Sequence, residues 1–103
     1  MSDEIVVYVD ADLEDLTPEF LENRQRDIVE ITRLVEVADF TEIQRLGHSM
    51  KGSGGGYGFE EISEIGKDLE EAAKRSDRDS VIKLNNRLAK YLSAVKVVYQ
   101  EED

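Results

Sequence analysis

The sequence predicts an all-α protein, an antiparallel up-down four-helix bundle with an N-terminal extended arm or short extra helix. Apolar residues recur at spacings of three and four in four successive segments, which is typical of amphipathic helices. The only proline is Pro18, and the connections between the four segments are a few residues long, so consecutive helices should be antiparallel neighbours. With 103 residues the chain is predicted to form one domain, with an arm over 1–16, the bundle over 17–99 and a frayed tail over 100–103.

The N-terminal arm contains the one stretch with clear strand propensity. The run Ile5–Val9 is apolar and mostly β-branched, so propensity alone predicts a strand. Because no second strand-like run is evident in the chain, we expect an extended arm laid against the bundle, with Leu13 and Leu16 as further apolar anchors. The alternative is a strand that pairs with another copy of the protein.

The first two helices have recognisable start signals. In Thr17-Pro18-Glu19 the threonine can cap, proline suits the first helical position, and the acid lies at the positive end of the helix dipole. This helix should run to about Glu36. The segment Asp39–Glu42 has the form of a capping box and opens the second helix. The core-facing stripe of the second helix consists of Ile43, Leu46, Gly47, Met50 and Gly54.

A run of five glycines lies between Gly52 and Gly58. Each glycine costs about 1 kcal/mol relative to alanine inside a helix, so composition alone predicts a loop. We predict instead that the helix continues to about Tyr57 and that Gly58 is the left-handed residue that ends it. The glycine spacing fits neither the dinucleotide-binding pattern nor the phosphate-loop pattern.

The last two helices follow the glycine run. From Phe59 an apolar stripe predicts a third helix that ends in the basic turn Lys74-Arg75. Asp77 is predicted to cap the fourth helix, whose apolar stripe continues to Val98.

The charge and composition exclude several classes of function. With 24 acidic and 13 basic residues the net charge is −11, so nucleic acid and anionic membranes should be repelled. The chain has no cysteine and one histidine, which disfavours a metal site of its own. The acidic start of the chain does not resemble a secretory signal, and a soluble cytoplasmic protein is expected.

The single histidine, His48, is predicted to lie on the exposed side of the second helix. It could be an ordinary surface residue, a lone metal ligand or a nucleophile that accepts a phosphoryl group on a ring nitrogen. The third interpretation gains support from Lys51, one turn on, and from Arg45, one turn back, because both cations could offset added negative charge. Gln44, Gly52 and Gly55 share this side of the helix, and the glycines leave room for another protein to approach.

The segment His48-Ser49-Met50-Lys51-Gly52-Ser53, followed by Gly58-Phe59, resembles the signature of the histidine-containing phosphotransfer (HPt) domains of bacterial multistep phosphorelays. This resemblance implies a four-helix bundle over nearly the whole chain. It also implies that His48 is phosphorylated through its outer ring nitrogen, that Lys51 stabilises the phosphoryl charge, and that Gly52 permits docking. Gly58 would be the glycine of the turn into the next helix. The three glycines over 54–56 depart from the larger or polar residues more usual in the family.

The resemblance implies a phosphocarrier that accepts a phosphoryl group on His48 from a receiver-domain phosphoaspartate and passes it to another receiver. Response-regulator receiver domains, a hybrid histidine kinase, or both would be its partners, docking over Gln44, Arg45, Gly52 and Gly55. The chain would act as a monomer without kinase or phosphatase activity, because its sequence offers no ATP site and no evident general base beside His48. No cofactor is expected in this chain, and Mg²⁺ is expected in the partner receiver.

Two alternatives to the phosphocarrier stay open. The chain could be the phosphoacceptor module of a histidine kinase, phosphorylated directly from ATP by a partner domain. It could also be a helical adaptor that is never phosphorylated, in which His48 is incidental.

Overall fold

The computed structural model describes residues 4–101 and contains four long helices, as the sequence predicts. In chain order the elements are β1 (Ile5–Asp10), a 3-10 turn (Ala11–Leu13), α1 (Thr17–Glu36), α2 (Phe40–Gly54), a second 3-10 turn (Gly55–Tyr57), α3 (Glu60–Lys74), α4 (Arg78–Ala94) and β2 (Val95–Gln100). None of the helices in this part of the chain is both long and apolar enough to cross a membrane.

The four helices pack in a ring around one hydrophobic core. The main neighbours of α2 are α1 and α3, and those of α4 are also α1 and α3, so α2 and α4 occupy diagonal positions. The largest core side chains that are almost completely buried include Phe59, Ile31, Leu34, Ile43, Met50, Ile62, Ile65, Leu69 and Leu88. These residues belong to the apolar stripes that the helical spacing predicts.

The helix caps agree with the sequence at two of three starts. Asp39 accepts a hydrogen bond from the backbone N–H of Glu42, and Asp77 accepts one from Ser80, as expected for capping residues. The prediction that Thr17 caps α1 is wrong. Thr17 is fully buried in the first turn of α1, where its hydroxyl donates to the carbonyl of Leu13 at 2.8 Å.

The N-terminal strand has a partner within the chain, which the sequence analysis did not predict. β1 pairs with β2 in parallel, with Ile5 opposite Val95 and Asp10 opposite Gln100. Consequently α4 ends at Ala94 rather than continuing to Val98, and Gln100 belongs to a strand rather than to a frayed tail. The two valines at 95 and 98 fit a helical stripe, but the β-branched run that contains them fits a strand equally well.

Two glycines bring α2 and α3 into close backbone contact. A Cβ atom on Gly66 of α3 would lie 2.5 Å from the backbone nitrogen of Lys51 and 2.7 Å from the carbonyl oxygen of Gly47. A Cβ on Gly47 of α2 would lie 2.7 Å from the backbone nitrogen of Glu70. The two backbones can approach this closely only because neither residue has a side chain.

The glycine run remains helical until the turn that the sequence predicts. α2 continues to Gly54, a 3-10 turn follows, and Gly58 has the left-handed φ of 92° that ends it. The hydroxyl of Ser63 in α3 supports this end of α2, because it accepts from the N–H of Gly55 at 2.7 Å and donates to the carbonyl of Lys51 at 2.9 Å. Tertiary hydrogen bonds thus offset the low helix propensity of the glycines.

Candidate functional site

His48 lies in the middle of α2 with its imidazole turned outward. Its side chain is 68% exposed, and its Nδ1 atom lies 2.9 Å from Oε2 of Glu70 on α3. Lys51, one helical turn further on, donates from Nζ to the other oxygen, Oε1, at 3.2 Å. One carboxylate therefore holds both the histidine and the lysine.

The close contact between α2 and α3 places Glu70 beside His48. Gly47 immediately precedes His48, and Gly66 lies one turn before Glu70, so the two glycines that touch are neighbours of the functional side chains. The Glu70 side chain is only 10% exposed although it is charged. Its two hydrogen bonds compensate for the loss of water around the carboxylate.

The surroundings of Glu70 favour its ionised form. The hydrogen bond from Lys51 lowers the pKa of Glu70 most, and the bond with His48 lowers the pKa further, whereas burial acts in the opposite direction. A carboxylate can only accept hydrogen bonds, so the Nδ1 atom of His48 carries a proton. In the neutral imidazole the lone pair then lies on Nε2, which is the nitrogen available as a nucleophile.

Lys51 faces the same region but is not a free cation. Its side chain is 43% exposed, and its ammonium group contacts Glu70. The carboxylate and the ammonium neutralise each other, so the imidazole has a locally balanced charge in this strongly acidic protein.

Gln44 and Arg45, which are predicted to form part of the docking surface, lie beside His48. Gln44 and Arg45 line a shallow depression together with Thr41, His48 and Glu70. The guanidinium of Arg45 is engaged by Glu42, so its charge is already paired along α2.

The glycines predicted for the docking surface are open. Among residues 4–101, a Cβ on Gly52 would meet nothing within 4 Å, and one on Gly55 would make only ordinary contacts, the nearest at 3.5 Å to the hydroxyl of Ser63. Gly58 forms the left-handed turn, as described above. The role of these residues in docking stays a prediction.

Sequence reasoning missed Glu70 and Ser63. It found no general base beside His48, yet a carboxylate lies in hydrogen-bond contact with Nδ1, on the side of the ring away from Nε2. A signal for Glu70 was present, because it follows Gly66 by four residues and therefore falls on the inward side of α3. An acid at such a position requires a partner.

Within residues 4–101 no group of three or more histidine, cysteine, aspartate or glutamate side chains is arranged to hold a metal ion. The site described here consists of the imidazole of His48, the carboxylate of Glu70 and the ammonium group of Lys51.

A comparison with models of protein families finds a match to this chain. Residues 15–97 match the family model described as Hpt domain, so the match covers all four helices and leaves out β1. Neither the comparison with curated proteins nor the comparison with solved structures found a match. With a family match over most of its length, the chain belongs to the Hpt domain family, the histidine phosphotransfer modules of two-component signalling.

Proposed function

We propose that this chain is a phosphocarrier, which accepts a phosphoryl group on His48 from the phosphoaspartate of a receiver domain and passes it to another receiver. The observation that carries the proposal is the hydrogen bond between Nδ1 of His48 and Glu70, at 2.9 Å. It fixes the ring and leaves Nε2 on the exposed side of α2, where the active site of another protein can reach it.

In the proposed step the Nε2 lone pair attacks the phosphorus of the phosphoaspartate in line with the leaving oxygen. The N–P bond forms as the O–P bond to the aspartate breaks, and the aspartate departs as a carboxylate. The Nδ1 proton stays in its hydrogen bond with Glu70, so no proton has to leave the imidazole. In the second transfer the aspartate carboxylate of another, unphosphorylated receiver attacks the phosphorus on His48. The new O–P bond forms as the N–P bond breaks, and the electron pair returns to Nε2.

The two neighbours of His48 have distinct roles in this proposal. Glu70 is a positioning residue, because it holds the tautomer in which Nε2 is unprotonated and stabilises positive charge that develops on the ring. Lys51 offsets the negative charge of the phosphoryl group once it is on Nε2. The chain has no kinase or phosphatase activity of its own and binds no cofactor, since Mg²⁺ and the acidic pocket belong to the receiver.

We expect the receiver to dock on the side of α2 that carries Gln44, Arg45, Gly52 and Gly55. The absence of a side chain at Gly52 leaves open space there, so the receiver can close over the imidazole. The bundle acts as a cytoplasmic monomer with antiparallel neighbouring helices, and its partners are response-regulator receivers, a hybrid kinase or both.

The test is phosphoryl transfer from a ³²P-labelled receiver in the presence of Mg²⁺. Wild-type protein should acquire an acid-labile, alkali-stable label, and His48→Gln should acquire none. Glu70→Gln should be labelled about tenfold to a hundredfold more slowly, because the loss of a charged hydrogen bond corresponds to about 1.5–3 kcal/mol.

Three outcomes would contradict the proposal. Equal labelling of wild type and His48→Gln would exclude His48 as the acceptor, and no labelling from any cognate receiver would exclude the carrier. Labelling from an ATP-loaded kinase domain but from no receiver would support the phosphoacceptor module of a kinase instead. Circular dichroism of each variant serves as the control for folding.

A further inference from the structure

Phosphorylation of His48 would change the charge of its ring. In the free protein the Nδ1 proton is held by Glu70, and Nε2 carries the lone pair. When Nε2 forms a bond to phosphorus, neither ring nitrogen keeps a free lone pair, so the ring is an imidazolium cation for as long as Nδ1 keeps its proton. The phosphorylated ring therefore needs a counter-ion, or it has to release the Nδ1 proton.

Glu70 is in position to be this counter-ion. Its Oε2 atom lies 2.9 Å from Nδ1, and its side chain is only 10% exposed, so little water competes for the carboxylate. Among residues 4–101, no other carboxylate oxygen lies within 4.0 Å of a ring nitrogen of His48. The hydrogen bond from Lys51 lowers the pKa of Glu70, which keeps its charge available near neutral pH.

The other charged groups near Glu70 leave its Oε2 atom to the imidazole. From α2, Lys51 binds the second oxygen, Oε1, at 3.2 Å. Arg45 lines the depression beside His48 and Glu70, but its guanidinium is engaged by Glu42. In the described part of α3 itself, no basic side chain lies within 4.0 Å of Glu70. The carboxylate can therefore serve the imidazolium without giving up Lys51.

We infer that Glu70 is the counter-ion of phosphorylated His48, so that the phosphohistidine keeps its Nδ1 proton and the transfer equilibrium shifts toward this domain. The inference rests on the proposed function, because it concerns the phosphorylated state of the same histidine. A carboxylate binds an imidazolium more strongly than it binds a neutral imidazole. Glu70 thus stabilises phosphorylated His48 more than free His48, in addition to fixing the tautomer.

The bonds and charges of this step balance without a free proton. The Nε2 electron pair forms the N–P bond, and the electron pair of the broken O–P bond leaves on the aspartate. The ring gains one positive charge, the aspartate gains one negative charge, and the Nδ1–H bond is unchanged. In Glu70→Gln the imidazolium has no carboxylate beside it, so at alkaline pH it gives its Nδ1 proton to water.

A transfer that releases no proton has an equilibrium constant that does not change with pH. At mildly alkaline pH, where free His48 is neutral, the occupancy of His48 then depends only on the receivers and their phosphorylation. Glu70 makes the phosphorylated form of the domain a favoured state of the relay, and phosphate is drawn from the first receiver onto His48.

The test measures the proton balance and the equilibrium of transfer from a phosphorylated receiver with Mg²⁺. At pH 8.5 in weak buffer, a pH-indicator dye should record no proton release for the wild type, after subtraction of the hydrolysis of the receiver alone. Glu70→Gln should release about one proton per phosphoryl group. At pH 7.5 the equilibrium constant for transfer to His48 should be about tenfold lower in Glu70→Gln than in the wild type.

Glu71→Gln is the matched control, because it makes the same charge change at the next residue of α3. Glu71 is exposed and lines a cleft toward α4, together with Ser80 and Lys83. This variant should match the wild type in both the proton balance and the equilibrium constant.

The equilibrium constant distinguishes a counter-ion from a residue that only orients the ring. If Glu70 only orients the imidazole, Glu70→Gln reacts more slowly in both directions but reaches the wild-type equilibrium, which would overturn the inference. Release of one proton by the wild type, or an equal loss in Glu71→Gln, would overturn it as well. In all these cases His48 is still labelled and the phosphocarrier stands, whereas a wild-type protein without label would refute both.

Discussion

Gly47 and Gly52 are five residues apart on α2, and their surroundings are opposite. A Cβ on Gly47 would lie within 2.8 Å of two backbone atoms of α3, whereas a Cβ on Gly52 would meet nothing within 4 Å in the part of the chain that the structure describes. The first glycine is required by packing inside the protein. The second lies next to the candidate site, where no neighbouring atom among residues 4–101 requires a glycine, and this agrees with the docking surface proposed above.

The difference shows how the site is built. On the packed side, the contact of Gly47 with α3 brings Glu70 close enough to bond His48 and Lys51. On the open side, the side chain of His48 is 68% exposed. Substitutions on the packed side should therefore lower stability and change the geometry of the imidazole together. Substitutions on the open side should leave that geometry unchanged and should not lower stability.

The largest effect is expected for Gly66→Ala on the packed side. The new methyl group would lie 2.5 Å from the backbone nitrogen of Lys51 and 2.7 Å from Cβ of Met50, so the two helices must separate. We expect the free energy of unfolding to fall by about 3 kcal/mol, the upper part of the range for overpacking. Urea denaturation measures it, and an unchanged midpoint would refute the close contact between α2 and α3.

A smaller loss is expected for Ser63→Ala at the end of α2. This change removes the acceptor for the N–H of Gly55 and the donor for the carbonyl of Lys51. The free energy of unfolding should fall by about 1–2 kcal/mol, because two polar backbone groups lose their partner. Hydrogen exchange at Gly55 should accelerate. If its amide exchanges at the wild-type rate, Ser63 does not support the glycine run.

The pH dependence of the site follows from Glu70. Its pKa is lowered from the ordinary value of 4.5, chiefly by Lys51, so the folded state binds this proton more weakly than the unfolded chain. The stabilisation is complete above pH 4.5 and is lost as the pH falls through the lowered pKa. In Lys51→Ala the pKa of Glu70 should rise, as measured by ¹³C NMR of its carboxyl carbon. An unchanged titration would show that Lys51 does not contact the carboxylate in solution.

The sequence predicted the helices well because the signals that specify them are local. Apolar spacing, the capping residues Asp39 and Asp77 and the positive φ at Gly58 depend on residues that are close together in the chain. The pairing of β1 with β2 could not be predicted in the same way. It joins residues 90 positions apart, and the valines of β2 fit the stripe of α4 as well as they fit a strand.

The candidate site shows the same difference between residues that are close in the chain and residues that are distant in it. His48 and Lys51 were found because they lie one turn apart on one helix, whereas Glu70 lies 22 residues beyond His48 on another helix. The contact between Gly47 and Gly66 decides which residues of α2 and α3 meet. Helical spacing indicates that both glycines face inward, but it does not give the register of one helix against the other.

The smallest effect on stability is expected on the open side, for Gly52→Ala. The methyl group enters open space, and alanine favours the helix by about 1 kcal/mol relative to glycine, so the free energy of unfolding should rise by up to this amount.

Gly52→Phe should also fold normally, because its side chain enters the same open space, but its ring would occupy the space above α2. If a receiver docks there, Gly52→Phe slows labelling of His48 while the urea midpoint stays at or above the wild-type value. Labelling at the wild-type rate would place the receiver elsewhere, and Gly52 would then have no role in docking.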